Sequence, residues 1–127
     1  MAELAFMRKA ISLGFGVAKP WGDSDHYDFI LNSGHLFWRV QVKSVWSKKS
    51  GYKIRTSGHN KDTYTAEQID FLVAYIHPAE RWYVLPVSAL GNRQYIDFPL
   101  RGGKSQFDQY HEAWGLFRGE SPVSPSP

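Results

Sequence analysis

The sequence predicts an α/β fold, a central mixed β-sheet flanked by helices. Three observations lead there. Residues 2–13 are good helix formers without proline, and Gly14 stands ready to stop the helix. The stretch from Asp28 to Lys43 reads as two strands about a turn at Asn32-Ser33-Gly34, residues that tolerate positive φ. The segments Phe71–Ile76 and Trp82–Leu85 are nearly continuous apolar runs, the pattern of strands covered on both faces. Helices and sheet pack as layers around one core, and 127 residues suffice for one such core but not for two.

In the first helix, Arg8, Lys9 and Ser12 mark the solvent face, and Glu3 falls opposite them with Met7 and Ala10. A carboxylate on an apolar face needs a cation, a metal or a donor, because burying it alone is costly. The plainer reading is a first-turn Glu that suits the helix dipole. Phe15–Lys19 is a short strand ended by Pro20, followed by a loop in which Asp23 and Asp25 suit turns. The second strand of the hairpin runs on to about Trp46. Ser47–Gly51 is then a basic turn, and Tyr52–Thr56 continues the meander with Lys53 and Arg55 on one face.

The segment Ser57–Asp62, with His59, is a loop, and Thr65 with Gln68 has the spacing of a capping box that starts a helical turn. Pro86–Leu90 is a further turn. Arg101-Gly-Gly-Lys104 is a basic loop before a last helix capped by Ser105 and Asp108. In that helix Phe107, Tyr110, Trp114 and Phe117 recur at spacings of three and four, one apolar stripe against the sheet. The domain therefore spans 1–118, and the Ser/Pro-rich residues 119–127 read as a disordered tail.

Composition excludes several classes. Hydrophobic residues make up 43% and aromatics 16%, too many for a disordered chain. No run of about 18 apolar residues occurs, so no membrane-spanning helix is expected. The first residues, with Glu3 and with their cations after the apolar positions, do not read as a signal peptide. There is no cysteine, which rules out disulfides and thiolate metal sites and suits a cytoplasmic protein. The five histidines lack ligand spacing, and neither a nucleophile elbow nor a phosphate-cradling glycine loop is present.

The net charge is only +3, but its distribution is uneven. From Phe29 to Lys61 no acidic residue occurs, while Arg39, Lys43, Lys48, Lys49, Lys53, Arg55 and Lys61 all fall there. One-signed charge on neighbouring strands makes a positive surface, and a phosphate backbone is its commonest partner. A solvated basic face is the alternative. Arg101 and Lys104 are further candidates for phosphate contact.

In the central hairpin, residues two apart share a face, so Gln41 and Lys43 project together while Val40 and Val42 point the other way. Asp28, on the partner strand, faces opposite to Tyr27 and Phe29. One register brings a carboxylate, an amide oxygen and an ammonium onto one patch of sheet. Oxygen ligands able to hold Mg²⁺ beside a lysine are what metal-assisted phosphodiester hydrolysis needs. Taken alone, Gln-Val-Lys is a pattern that any strand with one wet face shows.

Asp28, a gap of hairpin length and then Gln41-Val42-Lys43 resemble the signature of PD-(D/E)xK nucleases. Gly22-Asp-Ser-Asp-His-Tyr-Asp-Phe-Ile30 and Arg39-Val-Gln-Val-Lys-Ser44 are similar to the group I intron homing endonucleases built on that fold, which use Gln at this position. Tyr64-Thr-Ala-Glu-Gln-Ile-Asp-Phe-Leu-Val-Ala-Tyr75 and Tyr110-His-Glu-Ala-Trp114 extend the likeness along nearly the whole chain. Tyr27 stands where the superfamily name has Pro, and Gln41 leaves the site one carboxylate poorer.

The resemblance implies a restriction-endonuclease-like core and Mg²⁺-dependent DNA cleavage, with Mn²⁺ as a substitute metal. Asp28, Glu3, Gln41 and the Val42 carbonyl are then the metal ligands, and Lys43 is the catalytic cation. The expected partner is double-stranded DNA, bound by a homodimer or homotetramer. Two alternatives stay open: a structure-selective nuclease such as a junction resolvase, and a DNA-binding module in which Gln41 marks decayed catalysis.

Overall fold

The computed structural model describes residues 2–21, 26–46, 52–57, 63–77, 80–98 and 106–121. The chain begins with helix α1 (Ala2–Ser12), which buries Phe6 and Ala10. Gly14 ends it at φ +91°. The Gly14 N–H donates to the Ile11 carbonyl and the Phe15 N–H to the Ala10 carbonyl, each at 3.0 Å. That pair of bonds is a Schellman closure, which satisfies carbonyls the last helical turn would leave unmatched.

Strands β1 (Gly16–Ala18), β2 (Phe29–Asn32) and β3 (Phe37–Trp46) form an antiparallel meander. At the hairpin tip the Asn32 side chain accepts the Gly34 N–H at 2.8 Å, and Gly34 takes φ +104°, the local turn chemistry its sequence predicts. Strand β5 (Phe71–His77) lies parallel to β3, and β6 (Arg81–Pro86) returns antiparallel to β5. The sheet order is β1-β2-β3-β5-β6. It is mixed, as the pattern predicts.

Two clusters of buried residues lie on the two faces. In β5, Phe71, Val73 and Tyr75 join one cluster with Phe6, Val40 and Val42 under α1, while Leu72, Ala74 and Ile76 join the other with Ile54, Ile96 and Phe98. Alternation along a strand sends neighbours to opposite faces, so a run buried on both sides must be apolar throughout.

The structure corrects the sequence reading in two places. Strand β4 (Tyr52–Arg55) does not extend the meander; it pairs antiparallel with β7 (Tyr95–Phe98), a strand the sequence reading missed, in a separate two-stranded ribbon. The ribbon covers the second face of the sheet through Ile54, Ile96 and Phe98. The expected last helix is also not continuous. The chain forms 3₁₀ turns at Asp108–Tyr110 and Trp114–Arg118, with Glu112 at φ +51° between them. His111 bridges to Tyr83, and the Glu112 N–H donates to the Trp82 carbonyl at 2.8 Å.

Edge strand β6 thus captures the segment, because it offers backbone groups that a continuous helix could not satisfy. The aromatic stripe is accordingly divided. Phe107 packs with the ribbon-side cluster, whereas Trp114 and Phe117 pack under α1. Gly119 closes the last turn at φ +84°, and Glu120 donates its N–H to the Gly115 carbonyl at 3.1 Å. Residues 122–127 lie outside the described residues.

Candidate active site

Strand alternation places Gln41 and Lys43 on the ribbon side of β3, alternating with Val40 and Val42, which are buried on the other side. Phe29 pairs with Val40 in the β2–β3 ladder, so Asp28 arrives opposite Gln41. Its backbone N–H donates to the Val40 carbonyl at 2.8 Å, and its side-chain Oδ2 accepts the Val42 N–H at 2.9 Å. The acid is held at both ends by the strand that carries the other two residues. Asp28, Gln41 and Lys43 are all half-buried, and the sequence-predicted patch is assembled as expected.

Electrostatics sharpen the site. Burial raises the Asp28 carboxyl above the ordinary aspartate value, opposed by the Val42 N–H; Glu3 raises it further, while Lys43 and Lys19 pull it down. Burial lowers the Lys43 ammonium below the ordinary lysine value, with Asp28 working against that shift and Arg55 adding to it. An acid and a base both perturbed by burial on one face are a feature by which a candidate site is recognised.

Glu3 reaches the site from α1. It meets the cation that its position demanded: Lys19 Nζ lies 2.9 Å from its Oε1, on the rim of the sheet. Lys19 also lies over the Phe29 ring at 5.6 Å. Nothing in the sequence pattern singled it out, because strand β1 and helix α1 meet only in the folded chain. The Gln41 amide nitrogen lies 3.5 Å from the Val42 carbonyl oxygen, the outer limit of a hydrogen bond. Turning the amide to present its oxygen therefore gives up little.

Tyr64 is a residue of the site that the sequence reading missed. Its ring lies under the Lys43 ammonium, 5.7 Å from Nζ to the centroid, and its hydroxyl is raised by burial and by the Asp28 charge. The Tyr64 side chain is buried, and its N–H donates to the Thr56 carbonyl at 3.0 Å, which ties the site to the end of β4.

The expected DNA-binding cations separate into three groups. Arg39 is spent internally: its Nε and one terminal nitrogen bond the two Asp70 oxygens at 3.1 and 3.0 Å, and the Glu67 and Ala66 carbonyls accept its N–H groups at 2.6 and 2.7 Å. The Asp70 N–H also donates to the Arg39 carbonyl at 2.9 Å, and Asp70 Oδ2 accepts the Arg39 backbone N–H at 2.8 Å, which fixes where β5 starts beside β3. Lys53 and Arg55 lie on the exposed face of the β4–β7 ribbon with Tyr95 and Asp97, and Lys53 Nζ is 5.4 Å from the Tyr95 ring centroid. Lys48, Lys49, Lys61, Arg101 and Lys104, together with Asp23, Asp25 and His59, lie outside the described residues.

The donor set suits a hard divalent cation. A bound metal would find carboxylate oxygens on Asp28 and Glu3 and neutral ones on Gln41 and Val42, the oxygen-only chemistry that Mg²⁺ favours. Among the described residues no three His, Cys, Asp or Glu side chains converge, so the neutral oxygens have to complete the set.

A mixed five-stranded sheet with a helix on one face has the architecture of a restriction-endonuclease-like fold. The chain belongs to the PD-(D/E)XK endonuclease family, whose sequence model matches residues 1–116. Among solved structures it is similar to the bacterial homing endonuclease I-Ssp6803I, with a TM-score of 0.75 and 32% identity, covering 91% of this chain and 86% of that one. A search of curated protein sequences gives no significant match. Among the described residues, no helix is long and apolar enough to cross a membrane.

Proposed function

We propose that the chain is a divalent-metal-dependent DNA endonuclease of the homing type, with Mg²⁺ as its working metal and double-stranded DNA as its substrate. The observation that carries this reading is the convergence of Asp28, Gln41 and Lys43 on one face, with Asp28 held by the Val42 N–H at 2.9 Å. The similarity to a homing endonuclease supports the finer type.

Asp28 and Glu3 would hold the metal, with the Gln41 amide oxygen and the Val42 carbonyl completing its protein ligands. When bound, the metal supplies an activated water and neutralises charge on the phosphoryl group. Lys43 orients the attacking water and stabilises charge that develops on the phosphate oxygens. Lys19 holds Glu3 at the rim through their 2.9 Å ion pair. Lys53 and Arg55 hold the DNA backbone on the ribbon, and Arg39, committed to Asp70, is left out of that surface.

Each chain carries one site and a double-strand break needs two, so a symmetric dimer or tetramer is the working form; light scattering on the free and DNA-bound protein reads that directly. The deciding experiment is nicking of supercoiled plasmid with Mg²⁺ or with EDTA. Nicking that needs Mg²⁺ is the expected result. Tight DNA binding without cleavage under any divalent metal would turn the reading to a binding module. Preference for a four-way junction over linear duplex would turn it to a structure-selective nuclease.

A further inference from the structure

A lysine on a four-carbon stem is a poor catalytic group unless something holds it, because each rotatable bond spreads the ammonium over several positions. Lys43 is half-buried, yet among the described residues neither a hydrogen bond nor an ion pair fixes its Nζ. Asp28 attracts it electrostatically without forming an ion pair. Left to that attraction, the ammonium would settle on Asp28 and occupy the corner where the carboxylate has to receive a metal.

The group that lies under the ammonium is the Tyr64 ring, 5.7 Å from Nζ to the centroid. The ring is itself well anchored. Tyr64 is buried among Ile54, Ile69 and Leu72, its N–H bonds the Thr56 carbonyl at 3.0 Å, and the next residue, Thr65, donates its N–H to Gln68 Oε1 at 3.2 Å. A rigid aromatic face under a flexible cation supplies an attraction with a direction, through the negative face of the ring.

We propose that Tyr64 is a positioning residue, whose ring holds the Lys43 ammonium beside the reacting phosphate and away from Asp28. The proposal rests on the assignment of Lys43 made above. Residues that fix a reacting group must themselves be locked by packing, and Tyr64 meets that condition.

The test keeps the shape of the ring and changes its electron density. Position 64 is filled with Phe and then with mono-, di- and trifluorophenylalanine, and single-turnover cleavage, duplex-DNA affinity and thermal stability are measured for each. Tyr64→Phe should stay within about two-fold of the wild-type rate, and the trifluoro ring should fall about ten-fold, the range open to a partly desolvated cation–π contact. Affinity and melting temperature should hold through the series. A ring that merely packs would leave the fluorinated variants at the Phe rate, which overturns the proposal.

A second readout needs no activity. In NMR spectra the Lys43 ε-methylene protons should be shifted upfield by the ring current, and Tyr64→Leu should abolish that shift. Its absence in the wild type overturns the proposal whatever the cleavage data show. A shift present in a protein that never cleaves instead overturns the nuclease role of Lys43, and the proposed positioning role with it.

Discussion

The Asp28 carboxylate is bonded to the backbone of Val42, at 2.9 Å, rather than to the Lys43 side chain one residue further on. The acid and the lysine are thus held on one strand pair without neutralising each other. An Asp–Lys ion pair would have to be broken or shared before either charge could meet a metal or a phosphate.

From this follows a division of labour. Asp28→Asn keeps the acceptor for the Val42 N–H but removes the charge that holds the metal, and Lys43→Ala removes the cation beside the attacking water. Each should slow cleavage on the order of 10² or more, the size of a lost transition-state donor. DNA binding should survive both. Paired rate and binding measurements on one duplex at fixed Mg²⁺ and salt check this, and wild-type cleavage in both variants would remove the assigned site.

Asp28 should also make stability depend on pH in a particular direction. Its carboxyl is raised above the ordinary value of 3.8, by burial first and then by Glu3. The folded chain therefore holds that proton more tightly than the unfolded chain does. The stabilisation is complete below about pH 4 and is lost as pH rises through the folded-state value. Asp28→Asn should accordingly be more stable than the wild type at neutral pH, with the difference vanishing in acid. Urea unfolding of both proteins from acid to neutral pH measures it, and a pH-independent difference would contradict the assigned cause.

Asp70 works with the opposite sign. Burial alone would raise its carboxyl, but the Arg39 side-chain and backbone bonds together carry it below 3.8. Its contribution is present above the ordinary value and is lost as pH falls through the depressed one. Because the pair also fixes where β5 begins beside β3, Asp70→Asn should cost about 2 kcal/mol, the range for hydrogen bonds to a charged group. Denaturant unfolding at neutral pH gives the value. A change below about 0.5 kcal/mol, the size of an ordinary surface substitution, would show the pair to be idle.

On the ribbon, replacing Lys53 and Arg55 by Ala should weaken DNA binding across sequences and flatten its salt dependence. Each phosphate that the variant no longer neutralises should take about 0.9 from the slope of log K against log salt. Binding isotherms at several salt concentrations test this, and an unchanged slope would turn the ribbon face away from DNA.

Much of this was legible in the sequence, because it depends on short-range periodicity. Alternation within β3 puts Gln41 and Lys43 on one face whatever the sheet does elsewhere, and a short hairpin leaves Asp28 few places to go except opposite Gln41. The apolar runs of β5 and β6 and the glycine stop of α1 are likewise local statements about burial and backbone freedom.

What the tertiary structure decided lies in pairings between segments far apart in the chain. Arg39 looks like one more cation of a basic stretch until Asp70, 31 residues on, takes its guanidinium. β4 finds its partner in β7 because the ribbon-side face of the sheet needs an apolar cover, which Ile54, Ile96 and Phe98 supply together. The helical spacing of Phe107, Tyr110, Trp114 and Phe117 yields to the backbone demand of edge strand β6. Tyr64 reaches Lys43 by the same long-range route. The sequence by itself determined which residues could carry the chemistry, through local geometry. The fold decided that Arg39 is committed to Asp70 and that the Tyr64 ring lies beside the Lys43 ammonium, because those depend on long-range pairings whose loop-closure entropy is met only when the whole core forms.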